Sequence, residues 1–297
     1  MSACLLCQRI GYSYCTQETS LFIWFRCPVL IQPASPATAT ANHHGDRWTW
    51  SQHWLDVLFL HWKVPPDSVQ PLLPAAVEVE THDGAGWVSI VLFQLKVRPR
   101  WLPPIPGFSS LTEINFRTYV RHNGKPGIYF LSMYADNAWA IRVAKLLTPL
   151  PYAKAQIVYR KSGRGFCVQG DNLSGSETSI SLTAVPNGEF RTAAGGSLDE
   201  WLLERYRAFT LDRRCSVLAA EVSHLRWAVQ DVEISALPGS GDPTFGPAPA
   251  RPPDAVHFST GVQARFGPFL PSRRELDSLT GNVTAMRPPR AFVEKPR

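Results

Sequence analysis

Glu113, Asn115, Arg117 and Tyr119 stand two residues apart along one short stretch of the chain. In a β-strand, side chains at that spacing all point to the same face. A carboxylate, an amide, a guanidinium and a phenol on one face can line a polar pocket. Arg117 suits a carboxylate or another anion through its planar fork of N–H donors. The plain alternative is that this face meets water. The next apolar stretch bears on the choice. Ile128, Phe130, Ser132 and Tyr134 fall on one face, Tyr129, Leu131 and Met133 on the other, so both faces are largely apolar. A sheet covered on both sides makes Glu113 and Arg117 candidates for a satisfied interior site, with Glu113 a candidate for catalysis.

Two further positions invite chemistry. His61 closes the apolar run from Val57, which predicts either a pocket mouth or a structural histidine with a backbone partner. Lys154 follows Pro149-Leu150-Pro151-Tyr152-Ala153. A lysine in an apolar pocket has a depressed pKa and can form a Schiff base; the alternative is an exposed lysine at the start of a strand. Common signatures are missing. There is no dinucleotide fingerprint, Walker A loop, nucleophile elbow or H-E-x-x-H, and the eight histidines do not make a metal spacing, so no cofactor or metal is expected.

The elements that hold these residues read mostly as β. Trp87 to Leu95 is nearly continuous in apolarity, which predicts a central strand. Residues 114–120 alternate and lead through Asn123-Gly124, a strong hairpin turn, into 128–134. A second hairpin is predicted from 155–168 and a further strand over 178–183. Pro66 to Leu73 and Ala138 to Leu147 suit helices, the second capped by Asp136 or Asn137. Ser197-Leu198-Asp199-Glu200 has the capping-box form, after which Trp201, Arg205 and Phe209 recur at helical spacing. The sum is a β-rich α+β domain with a few helices.

The 297 residues carry a formal charge of +6. Half of that excess lies in 271–297, where six basic residues face three acidic ones. No block of five like charges exists, so a nucleic-acid partner is not expected. No apolar stretch reaches the ~18 residues of a spanning helix, and no basic segment precedes the first apolar one. A cytoplasmic protein without a membrane partner is the expectation, with a homo-oligomer left open. Four of six cysteines fall in the first 27 residues, and Cys4-x-x-Cys7 lacks the second pair that zinc needs. Residues 1–46 read as a disordered leader or a start placed too far upstream, 47–268 as one domain, and 269–297 as a disordered basic tail.

Phe59-Leu60-His61-Trp62-Lys63-Val64-Pro65-Pro66, Asp83-Gly84-Ala85-Gly86-Trp87, Glu113 to Val120, Leu150-Pro151-Tyr152 and His257 to Val262 together resemble the YqjF-like family, domain of unknown function 2071. The resemblance covers about 47–268. It implies the acetoacetate decarboxylase-like fold, curved antiparallel sheets around an internal cavity. In decarboxylases of that fold a lysine in a Pro-Lys-Lys-type segment forms a Schiff base with a β-keto acid. Here Tyr152 stands in the corresponding place, with Lys154 two residues on, and Glu113 corresponds to a cavity glutamate. The family carries no established activity. The readings that follow are a small-molecule binder lined by Glu113, Asn115, Arg117, Tyr119, His61 and Tyr152, a lyase or hydrolase using Lys154, and a structural or interaction domain.

Overall fold

The computed structural model describes residues 48–105, 107, 109–173, 178–235 and 251–272. The leader with its four cysteines, most of the Pro-rich stretch from 238 and the tail beyond Ser272 lie outside the described residues. In chain order the elements are β1 (Trp50–Val64), α1 (Pro66–Val69), β2 (Glu78–Val79), β3 (Gly86–Pro99), β4 (Ser110–His122), β5 (Lys125–Ala135) and α2 (Ala138–Leu147). There follow β6 (Tyr152–Lys154), β7 (Gln156–Ser162), β8 (Gly165–Leu173), β9 (Thr178–Thr192) and α3 (Leu198–Leu203). The last are β10 (Arg207–Leu211), β11 (Val217–His224), β12 (Ala228–Ser235), β13 (Ala255–Phe266) and β14 (Leu270–Pro271).

Strand pairing closes a ring. The path runs β11, β10, β5, β4, β3, β1, β13, and β13 pairs back to β11. Most neighbours are antiparallel; β5 and β10 are parallel, through Ile128↔Ala208 and Tyr129↔Phe209. Closure removes the free edges of these strands and defines an inside. The inside carries Val57, Phe59, Val91, Phe93, Leu95 and Ala208. The outer face carries Leu58, Leu60, Ile90, Leu92, Ile114 and Phe116, and these pack against Phe166, Val168, Ile180 and Leu182 of β8 and β9. The sheet β12–β9–β8–β7 therefore covers the barrel wall. The expectation of strands covered on both sides holds for this reason.

Local chemistry explains several elements. Asn123 and Gly124 take φ of 51° and 74°, which is the hairpin turn their types predict. The Asn137 side chain caps α2 by accepting from Trp139 and Ala140 N–H. At α3, Ser197 Oγ accepts from Glu200 N–H at 3.2 Å. The reciprocal half of the capping box differs: Glu200 Oε2 accepts from Gly196 N–H at 2.6 Å, because Ser197 N–H is already bonded to Ala194 O.

Three further expectations are corrected. The helical spacing does not extend to Phe209, which lies in β10. That strand sits close beside β5, since a Cβ at Gly127 would lie 2.7 Å from the Phe209 ring and 2.8 Å from Arg207 O. Alternation in β5 is broken by a bulge: Phe116 pairs with Ser132 but Arg117 with Phe130, leaving Leu131 as the extra residue. Met133 thereby joins Ile128 and Phe130 on the inside. The described fold also passes 268, since Leu270 pairs with Ala219.

A second bulge sets the register of β1. Asp56 has φ of 50°, and its neighbour Leu55 pairs with Gly261, whose φ is 130°. A Cβ at Gly261 would fall 1.9 Å from Trp54 O. Gly261→Ala is therefore expected to lower the urea unfolding free energy by at least about 2 kcal/mol, through backbone strain and overpacking. An unchanged midpoint would show that this close approach does not constrain the barrel.

Candidate functional site

The barrel encloses a cavity of about 1410 Å³. Strand alternation on β4 aims Glu113, Asn115 and Arg117 into it, while Ile114, Phe116 and Val120 pack in the outer core. Most of the wall is apolar. Trp54 stacks on Trp227 at 5.7 Å between ring centroids, and Phe59 meets Trp227 edge-on at 5.0 Å.

Glu113 is only 2% exposed. Burial raises its carboxyl pKa to about 7, although hydrogen bonds from Asn115 and Tyr152 act the other way. The Tyr152 hydroxyl donates to Glu113 Oε2 at 3.3 Å. The same burial, with the neighbouring carboxyl, pushes the Tyr152 phenol well above its ordinary range. Glu113 is thus a carboxyl that can hold or release a proton near neutral pH.

Arg117 differs from Arg205 in its partners. Its guanidinium lies 5.6 Å from the Phe59 ring centre and 5.9 Å from that of Tyr119. Its Nε and Nη2 are buried with no hydrogen-bond partner among the described residues. Arg205 also lines the cavity but is held at its back. It donates to Glu80 Oε2 at 2.5 Å and to Trp201 O at 2.6 Å, and its Nη2 is unpartnered. Glu80 also accepts from Arg121 at 2.8 Å. Glu80 is therefore already shared, and Arg117 is left as a cation facing a largely apolar space.

The predicted residues divide. Glu113, Asn115, Arg117 and Tyr152 meet on the cavity. Tyr119 and His61 do not line it; both are fully buried on the inner face beyond it, where α3 packs. His61 Nδ1 is 2.7 Å from Ser89 Oγ and 3.0 Å from the Tyr119 hydroxyl, which donates to Leu202 O of α3 at 3.1 Å. His61 is neither at a mouth nor bonded to backbone, because β3 and β13 flank its strand and α3 caps the end. Burial first, then the nearby His257 and Arg117, holds its pKa well below the ordinary value, so it is neutral. Lys154 is exposed on β6 and does not line the cavity; Tyr152, two residues before it, takes the inward place. An exposed ammonium lacks the apolar surroundings that make a Schiff-base lysine.

Sequence reasoning missed Arg205, Glu80, Ser89 and His224. Arg205 was masked by apparent helical spacing, and its pairing with Glu80 spans 125 residues. His224 lines the cavity and is kept neutral chiefly by burial. Among the described residues no group of three metal-ligating side chains converges. No helix among the described residues is long and apolar enough to cross a membrane.

Comparison with known proteins agrees with this architecture. Residues 51–263 match the DUF2071 family, described as an uncharacterized conserved protein. The chain is 33% identical over 223 residues to uncharacterized protein YqjF of Bacillus subtilis (strain 168), covering 75% of this chain and 92% of that one. Among solved structures, an acetoacetate decarboxylase-like enzyme from Sphingomonas wittichii RW1 superposes with a TM-score of 0.53 at 14% identity, covering 77% of this chain and 94% of the other. Acetoacetate decarboxylase from Legionella pneumophila gives 0.51 at 14% identity, with 81% and 93% covered. The chain belongs to the DUF2071 family and carries the acetoacetate decarboxylase-like fold.

Proposed function

We propose that the barrel cavity binds a small molecule carrying an anionic group, with Arg117 as its anchor. The observation that carries this is the pair of buried, unpartnered N–H groups on Arg117, in a space where Glu80 is already shared by two other arginines. A buried guanidinium without a partner is costly, and a carboxylate guest would satisfy it with two parallel hydrogen bonds. A purely structural domain would have no need of such a cation beside a large apolar space.

A thermal-shift screen of carboxylate and phosphate metabolites tests the reading. A ligand at a hundred times its Kd stabilises the folded state by about 2.7 kcal/mol. Arg117→Ala is expected to weaken an anionic hit about 10- to 100-fold, the usual range for a charge-assisted pair. A shift that is the same in wild type and variant would remove Arg117 from the site.

A second reading, proton-transfer chemistry on the guest, is favoured by one observation, the Glu113 carboxyl with its raised pKa and its Tyr152 partner. The raised value has a consequence for stability. In the unfolded chain Glu113 titrates near 4.5, and in the folded protein near 7. Between those values the folded state keeps a proton that the unfolded state has lost. Stability contributed by this group therefore falls as pH rises through that window, and the loss is complete above it. Glu113→Gln cannot ionise. Relative to wild type it should gain up to about 3 kcal/mol at pH 8 and nothing comparable at pH 4. Urea midpoints of both proteins at the two pH values check this; an equal difference at both would mean that Glu113 titrates normally.

A further inference from the structure

We infer that the guest is an amphipathic carboxylate with a long apolar body, of the fatty-acid class, and not a short keto acid. This rests on the reading of Arg117 as an anion anchor and adds the nature of the rest of the molecule. Two observations converge. The cavity, at about 1410 Å³, exceeds the ~300–1,000 Å³ of pockets that enclose drug-sized ligands. Most of its lining is apolar: Trp54 packs against Phe93, Trp227 and Phe266, with His224 the polar group among these rings and held neutral by burial.

The mouth carries the same chemistry outward. Trp101 is 82% exposed and Leu146 is 83% exposed, and with Leu102 and Leu147 they belong both to the cavity lining and to the exposed apolar surface. Asn137 ties the two rim segments together, donating from the start of α2 to Gly107 O at 2.7 Å. Exposed Lys145 and Arg213 also line the cavity, with Asp212 beside them, and leave a net positive charge there that attracts an approaching carboxylate. An apolar rim leading to an apolar wall and a buried cation matches a molecule with one charged end and a hydrocarbon tail.

The test is a calorimetric titration of the full chain with straight-chain saturated carboxylates of two, four, eight and twelve carbons, below their micelle concentrations. Affinity is expected to rise by up to about fourfold per added methylene, as apolar area leaves water. Arg117→Ala should weaken each binding member by a similar factor, and the twelve-carbon alcohol should bind wild type more weakly than the acid. If acetate and butyrate bind as tightly as dodecanoate and still depend on Arg117, the long apolar body is refuted while the anion anchor stands. If dodecanol equals dodecanoate and Arg117→Ala changes neither, the anchor itself is refuted, and this inference with it.

Discussion

Closure of the barrel is the constraint on which the rest depends. β11 must reach β13, through Val222↔Phe266, Ser223↔Arg265 and His224↔Ala264, or the ring opens and the cavity becomes a groove. Two weak points make this closure demanding. One is the two-residue parallel contact between β5 and β10, which exists because Gly127 has no side chain to hold Phe209 away. The other is the bulge at Asp56, where Gly261 admits the carbonyl of Trp54. Bulges add local twist and bend, and bending is what lets a ring of seven strands close. Backbone irregularities, not side-chain packing alone, therefore give the molecule an interior.

That interior then decides the electrostatics. With the outer wall covered by β7, β8, β9 and β12, a group on the inner face of β4 is removed from bulk water on every side but the mouth. The same burial acts in opposite directions on opposite charges. It lifts Glu113 toward neutrality and lowers His61, His224 and Arg205 from their ordinary values. The histidines are neutral, and Glu80 is committed to Arg205 and Arg121. Arg117 remains a buried cation on the cavity, set between the rings of Phe59 and Tyr119, which offer it their electron-rich faces. Behind it, His61, Ser89 and Tyr119 lock β1, β3 and β4 to the carbonyl of Leu202, so the strand that carries Arg117 is fixed in place. Their role is to hold the strands together, and this is why His61 and Tyr119, though on the inner face, do not line the cavity.

What could be read in the sequence was what depends on neighbours a few positions away. The period of two from Glu113 to Tyr119 was legible because every inward position was polar and three of the four outward ones, Ile114, Phe116 and Val120, were not. Asn123-Gly124 named its own turn, and Asn137 and Ser197 named their caps. The failures have a common cause. One extra residue at Leu131 reassigns the inside of β5, and no residue type there signals it. Phe209 keeps helical spacing with Trp201 and Arg205, yet strand pairing with β11 overrides that local preference. Arg205 with Glu80, and His61 with Ser89 and Tyr119, are contacts between distant segments, and a buried pair leaves no mark on either local pattern. The sequence resemblance to the YqjF-like family supplied what periodicity lacked, the knowledge that such strands close around a cavity.

Sharing a fold with acetoacetate decarboxylases does not carry their chemistry across, and the reason is visible at β6. A Schiff base needs an amine inside the cavity that is neutral at working pH. In this chain the inward position of that strand is a phenol, Tyr152, whose raised pKa makes it a proton donor in a hydrogen bond and a poor nucleophile. The amine two residues later is outside. Tyr152 and Glu113 instead form a pair in which the phenol keeps its proton and the carboxyl exchanges its own near neutral pH. Such a pair can move a proton to or from a guest but cannot form an iminium with it. The shared fold thus gives a sheltered cavity, and what this chain places inside it at β4 and β6 is a titratable carboxyl, a phenol and the guanidinium of Arg117.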